Sequence, residues 1–252
     1  MQLRQILTGS CNINEQCLSY GSLFSNTFIS YGSGSDIVIL NQDFVRKQII
    51  PGCKNKNSQI LAVSCTFITG KILVLCNINI CIYEPHCKTL ESQNHFNNYL
   101  WELQSTLEIP VKDMKDICWI PNFSDTFVLV GKCLQVWQLK KVKTFYVPNE
   151  IKDNWTCMWS KICPGGMDID LIKFSFDGNY FATLSLNSSD ILLWFWDQYS
   201  HTYFNDKSEN GFSNDLFDYI TIKHPASVIS FEWRKFSYYL PKLSLSINIR
   251  IY

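Results

Sequence analysis

The sequence predicts an all-β chain folded as an incomplete β-propeller. Three observations point there. A strand–turn–strand–turn–strand pattern recurs along the chain. Each clear copy closes its third strand on an aromatic residue. The composition, 46% hydrophobic, 15% aromatic and only 17% charged, can fill a sizeable core and leans toward strands.

The clearest copy runs from Leu171. Leu171–Phe176 alternates apolar and polar residues, as a half-buried strand does. Asp177-Gly178 supplies a hairpin turn, Tyr180–Leu186 a second strand, and Asn187–Asp190 a second turn. Ile191–Trp196 is apolar throughout, as expected of a strand covered on both faces. The plan recurs upstream as Asp116–Ile120, Thr126–Val130 and Cys133–Leu139, and again as Leu61–Phe67, Ile72–Cys76 and Ile80–Pro85. A weaker copy comprises Thr27–Tyr31, the turn Gly32–Ser35 and Asp36–Leu40. "HPASVISFEWR", His224–Arg234, reads as the opening of another.

Tyr83, Trp137 and Trp196 close the third strands and lie 54 and 59 residues apart. A WD-type blade takes about 40–45 residues. The excess is expected in polar rim connections at Lys88–Asn98, Lys140–Asp153 and Gln198–Asp218. Each unit is a small twisted sheet with two apolar faces, and radial stacking covers both. Two unrelated β-sandwich or barrel segments would give the same alternation, but not an aromatic residue at one place in every unit. The expected organisation is a partial WD-repeat propeller over 1–252, with units at about 18–50, 58–87, 111–140 and 168–198 and an incomplete one from 222. That is four to five blades' worth of sequence. "LPKLSLSINIRIY" ends before a further blade is complete, so the chain reads as a fragment of a larger protein or a truncated product.

Twenty-two basic residues balance twenty-two acidic ones, and the densest basic run is the short "LKKVK" at Leu139–Lys143. This argues against a nucleic-acid funnel. The start at Met1 shows no apolar signal-peptide core, and no stretch approaches the length needed to span a bilayer. The eleven cysteines form no C-x-x-C pair and are expected to be reduced apolar fillers. The sequons at Asn122, Asn154 and Asn187 carry no meaning in a cytosolic chain.

The chemistry-bearing residues point to structure. His86 beside Cys81 and Cys87 lacks the paired spacing of a structural zinc site, and His95 and His201 stand alone. His224 suits a turn hydrogen bond that fixes blade geometry. No nucleophile elbow, P-loop or HExxH motif is present. "YGSGS" at Tyr31–Ser35 precedes a strand, so it reads as a hairpin turn and not a phosphate cradle. Asp168 and Asp170 read as solvated charge, Asp177 and Asp190 as caps of their own turns, and Trp155 and Trp159 as core or interblade residues. No catalytic, cofactor-binding or metal-binding residue is predicted, and no cofactor.

Several stretches resemble the amino-terminal region of the DmX-like proteins, or rabconnectins. They are "QILTGSCN" at Gln5–Asn12, "YGSGSDIVIL" at Tyr31–Leu40, "QIIPG" at Gln48–Gly52, "CIYEP" at Cys81–Pro85, "DNWTCMW" at Asp153–Trp159, "FSFDGNYFAT" at Phe174–Thr183 and "HPASVISFEWRK" at His224–Lys235. The resemblance runs from residue 5 to about residue 241, and the chain leaves the family pattern after Pro241. It implies WD repeats of a long cytosolic scaffold associated with regulated assembly of the vacuolar proton pump, the V-ATPase, and similar to the large subunit of the fungal RAVE complex. The implied partners are V-ATPase peripheral-sector subunits and RAVE/rabconnectin-type proteins. The implied location is cytoplasmic, peripheral to endosomal or synaptic vesicles, with membranes reached only through partners. A generic WD adaptor with another client, such as a ubiquitin-ligase substrate, keeps the fold and changes the partner. An enzymatic propeller would need acid, base or metal residues clustered in the central channel.

Overall fold

The computed structural model describes residues 9–52, 59–77, 79–88, 96–109, 111–123, 125–143, 151–186, 188–196, 216–233 and 245–246. Four antiparallel sheets of four strands follow one another along the chain. The first holds β1 (Leu18–Leu23), β2 (Asn26–Ser33), β3 (Asp36–Asn41) and β4 (Arg46–Pro51). The second holds β5 (Ile60–Cys65), β6 (Ile72–Cys76), β7 (Asn79–Cys87) and β8 (Tyr99–Glu108). The third holds β9 (Asp116–Trp119), β10 (Thr126–Val130), β11 (Cys133–Lys143) and β12 (Ile151–Ile162). The fourth holds β13 (Leu171–Phe174), β14 (Tyr180–Leu184), β15 (Asp190–Trp196) and β16 (Phe217–Lys223). A two-stranded piece, β17 (Glu232–Trp233) with β18 (Leu245–Ser246), follows.

The first strand of each sheet contacts the first strand of the next: β1 meets β5, β5 meets β9, and β9 meets β13. These strands lie innermost, and the sheets radiate from them as propeller blades. The strands predicted from the sequence fall on the first three strands of each blade. The fourth strands come after the long connections, so the last three sheets run beyond residues 87, 140 and 198, where the expected units stop.

Among the described residues, four of the five apolar clusters lie between blades, and the fifth, Tyr31, Val38 and Leu40, lies on one face of the first blade alone. Ile37, Ile39 and Phe28 of the first blade pack against Ile72, Val74 and Tyr83 of the second. Leu73, Leu75 and Ile82 on the opposite face of the second meet Trp119, Phe127 and Trp137 of the third. Val128, Val130 and Val136 then meet Ile172, Phe181 and Trp194 of the fourth. Leu184, Ile191 and Leu193 are covered by Val228, Phe231 and Trp233. The two-residue period of a strand sends alternate side chains to the two neighbouring interfaces. A core strand must therefore be apolar throughout, as Ile72–Cys76 and Thr126–Val130 nearly are.

The ladders fix which positions correspond. Ile72 pairs with Tyr83, Phe127 with Trp137 and Phe181 with Trp194. Each pair closes a ladder of three residues begun by Cys65, Trp119 and Phe174. The residue equivalent to Tyr83 and Trp137 is thus Trp194 and not Trp196, which lies two residues further along β15. Counting back from the strand end misplaces it, because β7, β11 and β15 run on for 4, 6 and 2 residues past this position. A β-bulge follows the same logic. It lies at Ile39/Leu40, Ile82/Tyr83 and Val136/Trp137, where the third strand meets the fourth.

Nine of the described cysteines are free, and burial pushes the thiols of Cys17, Cys65, Cys118 and Cys163 up to about 12. They are protonated fillers of the interfaces. Cys76 departs from the expectation of reduced thiols: it is disulfide-bonded.

Candidate functional site

The innermost strands are joined across blade boundaries by one repeated contact. Ser19 Oγ accepts a hydrogen bond from the Cys65 N–H at 3.0 Å, and Ser64 Oγ accepts one from the Trp119 N–H at 3.1 Å. Cys118 holds the same position in the third blade and takes the bond from the Phe174 N–H. A first strand has one backbone edge with no ladder partner, and these small polar side chains satisfy it. Serine and cysteine fit because anything longer would push the strands apart.

At the third boundary a carboxylate joins the series. Asp116 is only 4% exposed, and its oxygens accept from the Ile117 N–H at 2.7 Å and the Ile172 N–H at 2.8 Å. Burial outweighs these two bonds and pushes the carboxyl up to about 7. A buried acid shifted this far is the usual mark of a reactive group. Here both oxygens are committed to the backbone, so its place is structural. Sequence reading passed over it, because an aspartate at the start of "DICW" looks like an ordinary strand entry.

Ion pairs continue around the boundaries. Lys71 lies between Glu84 at 2.9 Å and Asp125 at 3.0 Å, tying the second blade to the third. Burial lowers the Lys71 ammonium's proton affinity, but the two carboxylates prevail and raise its pKa. Lys115 pairs with Asp170 at 2.6 Å and lies 3.6 Å from Asp168, and Lys173 pairs with Glu232 at 2.5 Å. Asp170 is therefore not solvated charge. Its other oxygen accepts from the Leu186 N–H at 2.8 Å, so the carboxylate is built into the fourth blade.

The two ends of the blade stack differ in character. At one end, Asn12 clamps the β2–β3 hairpin. Its amide donates to the carbonyls of Gly34 and Ile60 at 3.0 and 2.9 Å, and its oxygen accepts from the Gly34 N–H at 2.7 Å. Gly34 has φ +61°, and a Cβ on Gly32 would lie 2.7 Å from Ile60. "YGSGS" is thus a hairpin turn wedged against the second blade. The other end carries the hairpins between first and second strands, and each presents a phenylalanine. Phe24, Phe67, Phe123 and Phe176 are 52%, 51%, 39% and 51% exposed. Phe67 and Phe176 were expected to end strands, but β5 and β13 stop two residues earlier and leave both rings on the turns. Neighbouring turns are tied together: the Ser22 hydroxyl donates to the Phe67 carbonyl, and the Asn122 amide donates to the Asp177 carbonyl at 3.1 Å.

The remaining sequence candidates take structural places. Trp155 is buried between second and third blades, and Trp159 packs on Phe217 between third and fourth. Cys81 is buried while His86, five residues along β7, is exposed, and Cys87 lies further along the same strand. His224 Nδ1 lies 2.9 Å from the Ala226 carbonyl and 3.2 Å from its N–H, and its own N–H donates to Ser189 at 3.1 Å, which ties the chain back to the fourth blade. Asp177 caps its turn through Ser175 and Asn179. Burial would raise its pKa, yet those hydrogen bonds win and lower it. Asp190 differs: its N–H donates to Ser188 Oγ at 3.0 Å, and its carboxylate faces Ser189 Oγ at 3.5 Å. His95, His201 and Asn187 lie outside the described residues, as do most residues of the three long connections. Among the described residues no three metal-ligating side chains gather into a cluster.

No protein-family model matches the chain. Two curated proteins do. DmX-like protein 1 of Mus musculus is 32% identical over 254 residues, and DmX-like protein 1 of Homo sapiens is 32% identical over 260. Each match takes in 97% of this chain and 8% of the relative, so the chain spans about a twelfth of the length of the relatives it matches. Among solved structures, the WD40 domain of Toxoplasma gondii coronin aligns with 74% of this chain and 44% of its own, at 14% identity and a TM-score of 0.48.

Proposed function

The chain belongs to the DmX-like family, and on that premise we propose that it is a non-catalytic WD-repeat scaffold segment taking part in regulated assembly of the V-ATPase. One observation carries this reading: 32% identity sustained along 97% of the chain. The blade architecture supports the coarser part, a protein-interaction role, because stacked blades offer rigid ends and rims on which partners dock. The partners in this reading are V-ATPase peripheral-sector subunits and RAVE/rabconnectin-type proteins. The place of action is the cytoplasmic side of endosomal or vesicle membranes. In this reading attachment there runs through partners; no helix among the described residues is long and apolar enough to cross a membrane.

The test is affinity capture of the tagged protein in its full-length context, followed by quantification of V-ATPase peripheral-sector subunits. Enrichment that falls when the segment is deleted supports the reading. Capture unchanged by the deletion, or no enrichment, overturns it. Ubiquitin-ligase subunits recovered in their place would make the chain an adaptor with a different client.

A further inference from the structure

We propose that the end of the propeller carrying the first-to-second-strand hairpins docks an extended protein segment whose apolar side chains lie on the exposed phenylalanines and whose lysine or arginine enters a small cavity beside Asp43. The proposal rests on the interaction-scaffold reading, but not on the V-ATPase as client.

Three observations carry it. The first is the row of exposed rings described above, one to each blade and held in place by turn-to-turn hydrogen bonds. Single exposed apolar residues are ordinary, but half-exposed rings repeated on every turn of one end, with Phe24 on Tyr99 at 5.3 Å and Phe67 on Tyr20 at 5.0 Å, mark an interaction surface. The first blade adds Phe44, 62% exposed, on the neighbouring turn between β3 and β4.

The second is backbone strain. Leu23 pairs with Asn26, so the hairpin has a two-residue loop, Phe24-Ser25, with φ of 49° and 65°. Such a turn favours Asn-Gly, because both residues need positive φ. Phe44 also has positive φ, at 60°. A bulky residue in this region costs on the order of 1–3 kcal/mol, and such positions cluster at ligand contacts. The fold thus keeps two half-exposed aromatic residues, Phe24 resting on Tyr99, in backbone conformations that disfavour them.

The third is the cavity. About 110 Å³ lies between these turns, lined by Asn26, Thr27, Asn41, Gln42, Asp43 and Phe96. It is too small for a drug-sized ligand, which needs about 300–1,000 Å³. Its wall holds acceptor oxygens, an aromatic floor and one charged group, the Asp43 carboxylate, which makes no ion pair among the described residues. The neighbouring cations Arg46 and Lys47 belong to β4 and not to the lining. The Asn41 side chain fixes the turn by accepting from the Asp43 and Val45 N–H groups at 3.0 and 2.8 Å. That chemistry fits an aliphatic stem with a cationic head.

The test uses the 252-residue chain and short fluorescein-labelled peptides of alternating leucine and lysine, with leucine–glutamate and leucine–glutamine peptides alongside, read by fluorescence anisotropy. The lysine peptide is expected to bind at least about tenfold more tightly than the glutamate one. Asp43→Asn is expected to weaken it about fivefold, the upper end for an exposed pair. The double change Phe24→Asn with Ser25→Gly is expected to weaken it at least about tenfold while raising the melting temperature, since the turn is relieved of strain. Equal binding of the three peptides, or undiminished binding by the double variant, overturns the proposal. So does binding to phosphatidylcholine–phosphatidylserine vesicles without peptide binding, or self-association that the double change abolishes. Loss of V-ATPase capture in the earlier experiment, with peptide binding intact, overturns only the client.

Discussion

The boundary between the first and second blades differs from that between the third and fourth in how the innermost strands are held. The first is neutral: Ser19 bridges to Cys65, and Asn12 clamps Gly34 and Ile60. The second repeats the bridge through Cys118 and adds a buried carboxylate, Asp116, together with the Lys115–Asp170 pair. One geometric requirement, a partner for an unpaired backbone N–H at the innermost edge, is met by two kinds of chemistry. Neutral hydroxyls give a boundary indifferent to pH. A buried acid gives one whose stability follows its proton.

The largest way to break the comparison is to empty the charged boundary of its main apolar residue. Trp194 is fully buried, stacks on Phe181 at 5.7 Å and donates to Thr183 Oγ1 at 2.8 Å. Trp194→Ala should cost about 3–5 kcal/mol by denaturant melts. The second prediction sharpens the contrast. Asp116 has its folded pKa raised from 3.8 to about 7, so between those values the folded chain holds a proton that the unfolded chain has released. Its contribution is complete below the unfolded value and is lost as pH rises through about 7. Melts of wild type and Asp116→Asn between pH 4 and pH 8 should differ by a slope that flattens above about 7, totalling a few kcal/mol. Parallel curves would remove the distinction between the boundaries. Third, Ser19→Ala should cost about 1–2 kcal/mol at every pH, because it leaves the buried Cys65 N–H unpaired and removes a partner of the Cys65 thiol, while no carboxylate is involved. Smallest is Lys115→Gln, at about 0.2–1 kcal/mol. That loss should shrink in high salt, since the pair is partly exposed.

What the sequence could and could not reveal follows from burial. Ile72–Cys76 and Thr126–Val130 were legible to the residue, because strands covered on both faces must be apolar. The fourth strands were not. Tyr99–Glu108 and Phe217–Lys223 are outermost and largely exposed beyond their first residues, so neither period nor hydrophobicity marks them. Trp196 ends the apolar run and so draws the sequence reading, but an aromatic pair two residues apart gives no hint of register, which only the ladder of Trp194 with Phe181 decides. The apolar turns were read as strand ends for a related reason: Phe67 and Phe176 extend an apolar run, and composition does not say where the backbone turns. Asp116 left no signal at all, since its burial depends on the fourth blade arriving opposite it.

One contact ties together parts far apart in the chain. The Gln16 side chain donates to the Asp170 carbonyl at 2.9 Å, across 154 residues of sequence. On a ribosome adding about 5–20 residues per second, that carbonyl emerges on the order of 10–30 s after Gln16 does. Until then the earlier blades must persist without this fastening, so a slow stretch of codons before residue 170 would prolong the interval in which a nascent chain is open to a chaperone or to a neighbouring polysome product.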